Sequence, residues 1–374
     1  MRQAAREKSK GFMNESSLGG TRWLRRRPIR RRHLIIRVGS VVLRPERRAL
    51  VVGAMIVMAL FVVGIAAMLI GDYPLSVRDV LAAINGTNAD YLANYFVRDI
   101  RLPRVVTALL VGAGLGTSGS IFQSISSNAL GSPDIIGFTT GAATGALVQI
   151  IVFEAGPGSV AVGALIGGFA TAFVVYVLAW RKGLAGYRLV LVGIGVSAVL
   201  QAVNSLLVVR ASLTSAQTAA QWLAGSLNAR GWVEVGLVGV SVAILLPLAL
   251  WMSRALGAMV MGDDLATGLG VKVERTRLCM IVIGIALVSI ATAATGPIAF
   301  VALAAPQIAR KLTRGSGIGI GAAALMGAVI VLVGDVVAQR IFAPTQLPVG
   351  VVTGSLGGVY LMWLLVTEWR RNRE

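Results

Sequence analysis

Ten long apolar runs, separated by short polar stretches, make up most of the chain after residue 48. About 20 apolar residues are enough for a helix to cross a bilayer, and most of the runs approach that length. We therefore expect an all-α polytopic membrane protein in which residues 49–374 form one domain of ten transmembrane helices. The runs cover residues 49–70, 102–125, 135–153, 159–180, 189–209, 232–252, 278–295, 297–312, 318–338 and 349–367.

The eighth run is the weakest, because GPIAFVALAAPQIARKL is short and contains Pro297 and Pro306. Without it the chain would have nine spans. The loops decide between the two counts, since cytoplasmic loops carry an excess of Lys and Arg. With ten spans, 13 basic residues beyond the amino-terminal arm lie inside and seven lie outside. Both ends of the chain are strongly basic, so both termini are expected in the cytoplasm, and the number of spans should be even.

Residues 1–48 form a basic arm with 15 Lys and Arg residues against three Glu residues. Such an arm could bind nucleic acid. A membrane span follows directly, however, and basic residues on the cytoplasmic side fix the orientation of a first helix and contact anionic lipid. We interpret the arm as a disordered cytoplasmic segment and expect no nucleic-acid partner.

The chain is poor in cysteine and histidine, two residue types that often support catalysis and metal binding. Cys279 is its one cysteine and His33 its one histidine, so no Cys/His cluster can form and we expect no metal or cofactor. None of the five lysines follows a glycine, as a phosphate-binding Gly-Lys-Ser/Thr loop requires. Asp335 is the one candidate for the intramembrane carboxylate that proton- or sodium-driven transporters use. These absences favour a non-catalytic membrane subunit that is powered by another chain.

Polar side chains lie at the end of the second apolar run and just after it. Lipid does not tolerate such groups cheaply, so we expect them to face protein or a water-filled translocation path. The alternative is that they only hold helices together. The external segment 210–231 is polar but contains Trp222, which predicts a short helix at the mouth of the path. The alternative role for Trp222 is that of an interfacial anchor. The polar residues at the end of the run are Gln123, Ser124, Ser126 and Asn128.

The longest internal loop, residues 261–278, predicts a short helix that receives a partner. An aspartate can cap its start and glycines can end it. A helix this short is marginal in water alone, so its apolar side requires a partner surface or its own bundle. The loop residues that carry this interpretation are Gly262, Asp263, Asp264, Leu265, Ala266, Gly268, Leu269 and Gly270.

Four ordered motifs resemble the permease subunits of ABC importers for iron siderophores and vitamin B12. RLPR at 101–104 with SGSIFQSISSNALGSPDIIGFTTGA is similar to the family's second-to-third helix signature. MGDDLATGLGVKVERTR resembles the loop that rests on the ATPase. GPIAFVALAAPQIAR, then GDVVAQR with LPVGVVTGSLGGVYL, resemble the closing signatures. NALGSPDIIGF, WLAGSLN and QLPVGVVTGSLGG resemble the ferric enterobactin permease subunits in particular.

The resemblance implies ten helices in the cytoplasmic (inner) membrane. It also implies a second permease, either a sister or another copy, two cytoplasmic ATP-binding subunits, and a periplasmic or lipid-anchored siderophore-binding protein. Arg101 falls on the first of two arginines that dock the binding protein in the vitamin B12 member, with Arg104 close behind it. The second falls on Gln339, so this chain departs from the family there, with Arg340 one residue later.

The resemblance leaves the cargo open within one class. A ferric siderophore is the leading expectation, because its iron is already chelated and needs no Cys/His cluster. Vitamin B12, haem or another metal chelate are the alternatives within the family. A secondary transporter, or a scaffold without transport, is the alternative outside it.

Overall fold

The computed structural model describes residues 36–38, 41–43, 47–71, 73–180, 186–315 and 317–371. The chain divides into two units, residues 1–47 and 48–374. In the first unit, β1 (Ile36–Val38) pairs antiparallel with β2 (Val41–Leu43). This hairpin is not among the elements expected from the sequence. The expectation of disorder for the rest of the arm lies outside the described residues.

The described secondary-structure elements of the second unit are helices. The helices are α1 (Arg47–Leu69), α2 (Val77–Asn85), α3 (Tyr91–Tyr95), α4 (Leu102–Ile125), α5 (Pro133–Ile136), α6 (Phe138–Leu147), α7 (Pro157–Ala179), α8 (Gly186–Arg210), α9 (Leu213–Leu223), α10 (Trp232–Met259), α11 (Asp263–Gly268), α12 (Val273–Thr295), α13 (Val301–Thr313), α14 (Ile320–Arg340) and α15 (Val349–Arg371). A π-helical segment, Phe96–Arg101, joins α3 to α4, and another, Val148–Val152, extends α6.

Within the described chain, seven helices are long and apolar enough to cross a membrane. The chain is therefore a polytopic helical membrane protein. Phe138–Val152 and Val349–Trp363 are shorter apolar helices. The seven long helices are Arg47–Leu69, Tyr91–Ile125, Pro157–Ala179, Gly186–Arg210, Trp232–Met259, Val273–Thr295 and Ile320–Arg340.

The eighth apolar run is helical over only 13 residues. Gly296 has φ +75° and Phe300 has φ 67°, so the backbone around Pro297 leaves the helical region before α13 begins. The weakness that the two prolines predict is therefore a real break in the helix. Each of the ten apolar runs nevertheless contains a helix.

The helix α4 lies at the centre of the packing. Of its most apolar window, 78% of the residues are buried, compared with 11% for α1 and for α8. Gly112 of α4 faces Gly327 of α14 so closely that a Cβ at position 112 would lie 2.4 Å from the Gly327 carbonyl oxygen. Small residues permit such close approach of helices in membranes. We call this contact the α4–α14 seam, and we call its ends outer, where α4 begins, and inner, where α4 ends.

Candidate functional site

A buried polar network closes the outer end of the α4–α14 seam. Arg104 donates to both carboxylate oxygens of Asp335, over distances of 2.9 to 3.2 Å. Its Nη1 donates to Gln346 Oε1 at 3.0 Å, and Gln339 Nε2 donates to Asp335 Oδ2 at 2.8 Å. Asp335 is 1% exposed. A buried ion pair stabilises only when its remaining polar atoms are also bonded, and here the two glutamines bond them.

Two further arginines hold the turn that follows α1. Arg101 donates to the carbonyl oxygens of Met68 and Tyr73 at 2.7 and 2.5 Å. Arg340, at the end of α14, donates to the Gly71 carbonyl oxygen at 3.2 Å and is exposed. A residue that docks a binding protein is expected to be accessible at the outer mouth, and Arg101 was placed among the docking residues. In this chain it is 7% exposed, because its guanidinium bonds backbone carbonyls of the turn. Of the four expected docking residues, Arg340 is the exposed one.

The polar residues at the end of α4 divide between an inner cavity and the helix itself. Gln123 donates to the Leu303 carbonyl oxygen at 2.9 Å and accepts from Arg310 Nη2. Ser126 donates to the Phe122 carbonyl oxygen one turn earlier, at 2.7 Å, and does not line the cavity. The inner cavity has a volume of about 780 Å³, and its lining includes Gln123, Ser124, Asn128, Arg254, Met261, Arg310 and Ile318.

Trp222 lines a second cavity, at the outer end of the molecule. The cavity lies where α9 meets the segment after α6 and the start of α7, and its volume is about 660 Å³. The helix α9 confirms the short helix expected in segment 210–231, and the Ser212 hydroxyl caps it by accepting from the Ser215 backbone N–H. The outer cavity is lined by Ile150, Glu154, Ala155, Pro157, Val160, Ser212, Thr214, Ser215, Thr218, Trp222, Arg230 and Ala293.

The internal loop forms the short helix α11, although no aspartate caps it. The N-cap position is Gly262, with φ 117° and no side-chain hydrogen bond. Asp263 instead accepts from Arg277 through both carboxylate oxygens at 2.8 Å. This ion pair fastens the start of α11 to α12. The aspartate expected to cap the helix is bonded instead by the arginine 14 residues later.

The apolar residues of α11 face in two directions. Ala266 is fully buried against its own bundle. Leu265 and Leu269 are 62% and 67% exposed. Their spacing at i, i+1 and i+4 predicts all three on one side of the helix. The helix α11 therefore docks on its own bundle through Ala266 and leaves Leu265 and Leu269 uncovered. The contact with a partner stays a prediction.

Residues that the sequence analysis treated only as loop charges belong to the two cavities. Arg310 lines the inner cavity and Arg230 the outer one. Burial lowers the pKa of the Arg230 guanidinium, while the nearby Glu234 carboxylate acts in the opposite direction. Arg230 stands just before the sixth apolar run and Arg310 lies near the end of the eighth, and these positions are the signal that could have identified them.

Comparisons with known proteins agree with this architecture. The model of the FecCD transport family matches residues 58–367. The ferric enterobactin transport system permease protein FepG of Escherichia coli (strain K12) is 45% identical over 87% of this chain and 99% of its own length. The achromobactin transport system permease protein CbrC of Dickeya dadantii (strain 3937) is 36% identical over 81% of this chain and 88% of its own.

A solved structure extends the likeness to the fold. It is described as an inward-facing conformation of a metal-chelate type ABC transporter. It matches with a TM-score of 0.75 at 27% identity, over 84% of this chain and 99% of the other. The similarity therefore covers the helical unit nearly from end to end.

Proposed function

The chain belongs to the FecCD transport family and is a membrane permease of the ABC importer class, and on that premise we propose that its cargo is a ferric siderophore of the enterobactin type. The observation that carries the proposal is the 45% identity with a ferric enterobactin permease over 99% of that protein. The relative from Dickeya dadantii is named for the transport of achromobactin. A chelate of this kind brings its iron already bound, so the permease needs no metal ligands of its own.

We propose ten transmembrane helices with both termini in the cytoplasm. The helix found in each of the ten apolar runs supports the count. The excess of basic residues in the inner loops and at both ends of the chain supports the orientation.

We propose that the chain works with a second permease, two ATP-binding subunits and an external binding protein, and that it hydrolyses no ATP itself. The exposed pair Leu265 and Leu269 supports an ATPase contact at α11, because two large apolar side chains are left uncovered on a charged loop. The exposed Arg340 supports a contact with the binding protein at the outer end. Arg101 would act from beneath it by holding the same turn, at the Met68 and Tyr73 carbonyl oxygens.

We propose that the cargo passes from the outer cavity beside Trp222 towards the inner cavity beside Gln123, Ser124 and Asn128. The two cavities lie at opposite ends of the bundle, which supports a path of that direction. Ser126 would shape the inner mouth through its bond to its own helix rather than through contact with the cargo.

Uptake by living cells tests the proposed cargo. The gene would be deleted, and uptake would be measured with radioactive iron in ferric enterobactin, a ferric trihydroxamate, ferric citrate and haem, and with radioactive cobalt in vitamin B12. We expect loss of ferric enterobactin uptake, restored by the wild-type gene, with the other cargoes unaffected. Loss of only haem or vitamin B12 uptake would contradict the siderophore assignment while keeping the family.

A further inference from the structure

The outer cavity contains more hydrogen-bond donors than its protein surroundings use. Ser212 donates its hydroxyl proton to Ser215 Oγ, and the Ser215 hydroxyl has no acceptor among the described residues, so it can donate into the cavity. The indole N–H of Trp222 and the terminal nitrogens of Arg230 have no acceptor within the described chain. A lining of unused donors is complementary to a ligand rich in acceptor oxygens.

The charge of the cavity points to the same ligand. Arg230 is half-buried, and its Nε donates to the Ser226 carbonyl oxygen at 3.3 Å. Burying a cation is costly unless a negative charge compensates it. The nearby Glu234 carboxylate accepts from the Gly231 backbone N–H at 2.9 Å, so it is shared with the start of α10. Glu154, the one carboxylate in the lining, is exposed at the rim.

The floor of the cavity is apolar and partly aromatic. Ile150, Val160 and Ala293 form it together with Trp222. A volume of about 660 Å³ is within the range of small-molecule sites. An indole face stacks on aromatic rings, and a guanidinium binds both to oxygen anions and to ring faces. The cavity therefore combines contacts for negative charge with contacts for flat rings.

We propose that the outer cavity is a recognition site for a trianionic, catechol-type ferric chelate, in which Arg230 binds the anionic oxygens and Trp222 stacks on a catechol ring. This proposal rests on the proposed function, because it names the residues that select the cargo. The contact is of moderate strength, as a transport site requires, since the cargo must also leave.

Equilibrium binding to the assembled transporter tests the site. The permeases and ATPases would be purified together in detergent without the binding protein. Two probes would be titrated, a ferric tris-catecholate that carries three negative charges and a ferric trihydroxamate that carries none. The variants are Arg230→Gln and Arg230→Lys, with Arg210→Gln as the matched control, because Arg210 is exposed at the end of α8 and does not line the cavity.

We expect Arg230→Gln to weaken tris-catecholate binding about tenfold, which is roughly 1.4 kcal/mol, and Arg230→Lys to retain part of the affinity. Arg210→Gln should bind like the wild type. Added salt should weaken binding to the wild type more than binding to Arg230→Gln, because screening acts on the charge that the variant lacks. Trp222→Leu should weaken binding several-fold, and Trp222→Phe, which keeps an aromatic ring, should retain most of the wild-type affinity. These two variants test the cavity without altering Arg230.

Three results would overturn the site. They are equal affinity of the wild type for the charged and uncharged probes, no measurable binding of the tris-catecholate, and equal affinities for Arg230→Gln and Arg210→Gln. A failure here is distinguishable from failure of the proposed function, because the function is tested by uptake into cells and this site by binding without ATP.

Discussion

At the outer end of the molecule Arg104 pairs with Asp335, and at the inner end Arg277 pairs with Asp263. In the first pair both side chains are enclosed, with exposures of 11% and 1%. In the second pair the arginine is 8% exposed, but the aspartate is 54% exposed. The same chemical pair therefore occurs in two dielectric surroundings. The buried pair joins α4 to α14 across the core, whereas the half-exposed pair holds a surface helix in place.

The difference shows how stability and partner contact are divided in this fold. Breaking a buried pair leaves a charge without water or a partner, and that is strongly destabilising. A pair open to water contributes little, because solvent already stabilises each charge. We therefore assign the outer pair to the integrity of the bundle and the inner pair to the orientation of α11, where Leu265 and Leu269 are uncovered.

The largest expected effect comes from removing one partner of the buried pair. Asp335→Ala should lower the free energy of unfolding by about 3–5 kcal/mol, because Arg104 remains buried without its carboxylate. Denaturation of the purified permease in detergent measures this change. The control is the double variant Arg104→Leu with Asp335→Leu, which should be more stable than Asp335→Ala. A single variant as stable as the wild type would remove the distinction between the two pairs.

An added methyl group should act differently at the seam and at α11. Gly112→Ala should cost about 1–3 kcal/mol through overpacking, because its Cβ would meet the Gly327 backbone. A Cβ at position 268 would meet no atom within 4 Å. Gly268→Ala should therefore be neutral, or stabilise α11 by up to about 1 kcal/mol through helix propensity. Melting temperatures of the two variants in the same detergent make the comparison. Equal losses would show that the seam is no tighter than the loop.

The smallest expected effect is at the half-exposed pair. Asp263→Asn should change the free energy of unfolding by about 1 kcal/mol or less, since its carboxylate is open to solvent. The neighbouring Asp264→Asn is the matched control, because Asp264 makes no hydrogen bond or ion pair within the described residues. Denaturation at low and high salt should show a difference between these variants that shrinks as salt is added. A loss as large as that of Asp335→Ala would contradict the proposed division.

The helices of both regions could be predicted from the sequence because their signals are local. The apolar runs gave the helices of the seam, and the loop between two runs gave α11. The partners across the seam could not be predicted, because Arg104 and Asp335 lie 231 residues apart. No local pattern specifies which distant carboxylate will meet an arginine.

Some residues of the two cavities could also be singled out from the sequence, whereas others could not. Gln123 and Trp222 stand out in an apolar chain as polar and aromatic groups, and each lines one of the two cavities. Their place in a translocation path stays a prediction. The burial of Arg101 was missed, because it depends on carbonyl groups of the turn after α1. Arg230 was missed as a cavity residue, since its place depends on α9 and α7 coming together.

We propose that ATP hydrolysis drives uptake through the contact at α11. The most direct test measures ferric tris-catecholate uptake per ATP hydrolysed, in vesicles that contain the assembled importer. The wild type should require ATP. Leu265→Asp should reduce uptake by about tenfold or more. Its melting temperature should stay near that of the wild type, because the exposed side chain contributes little to folding. Leu265→Met, which conserves volume and apolar character, should keep uptake. Uptake by the wild type without ATP, or normal uptake per ATP by Leu265→Asp, would contradict the coupling role of α11.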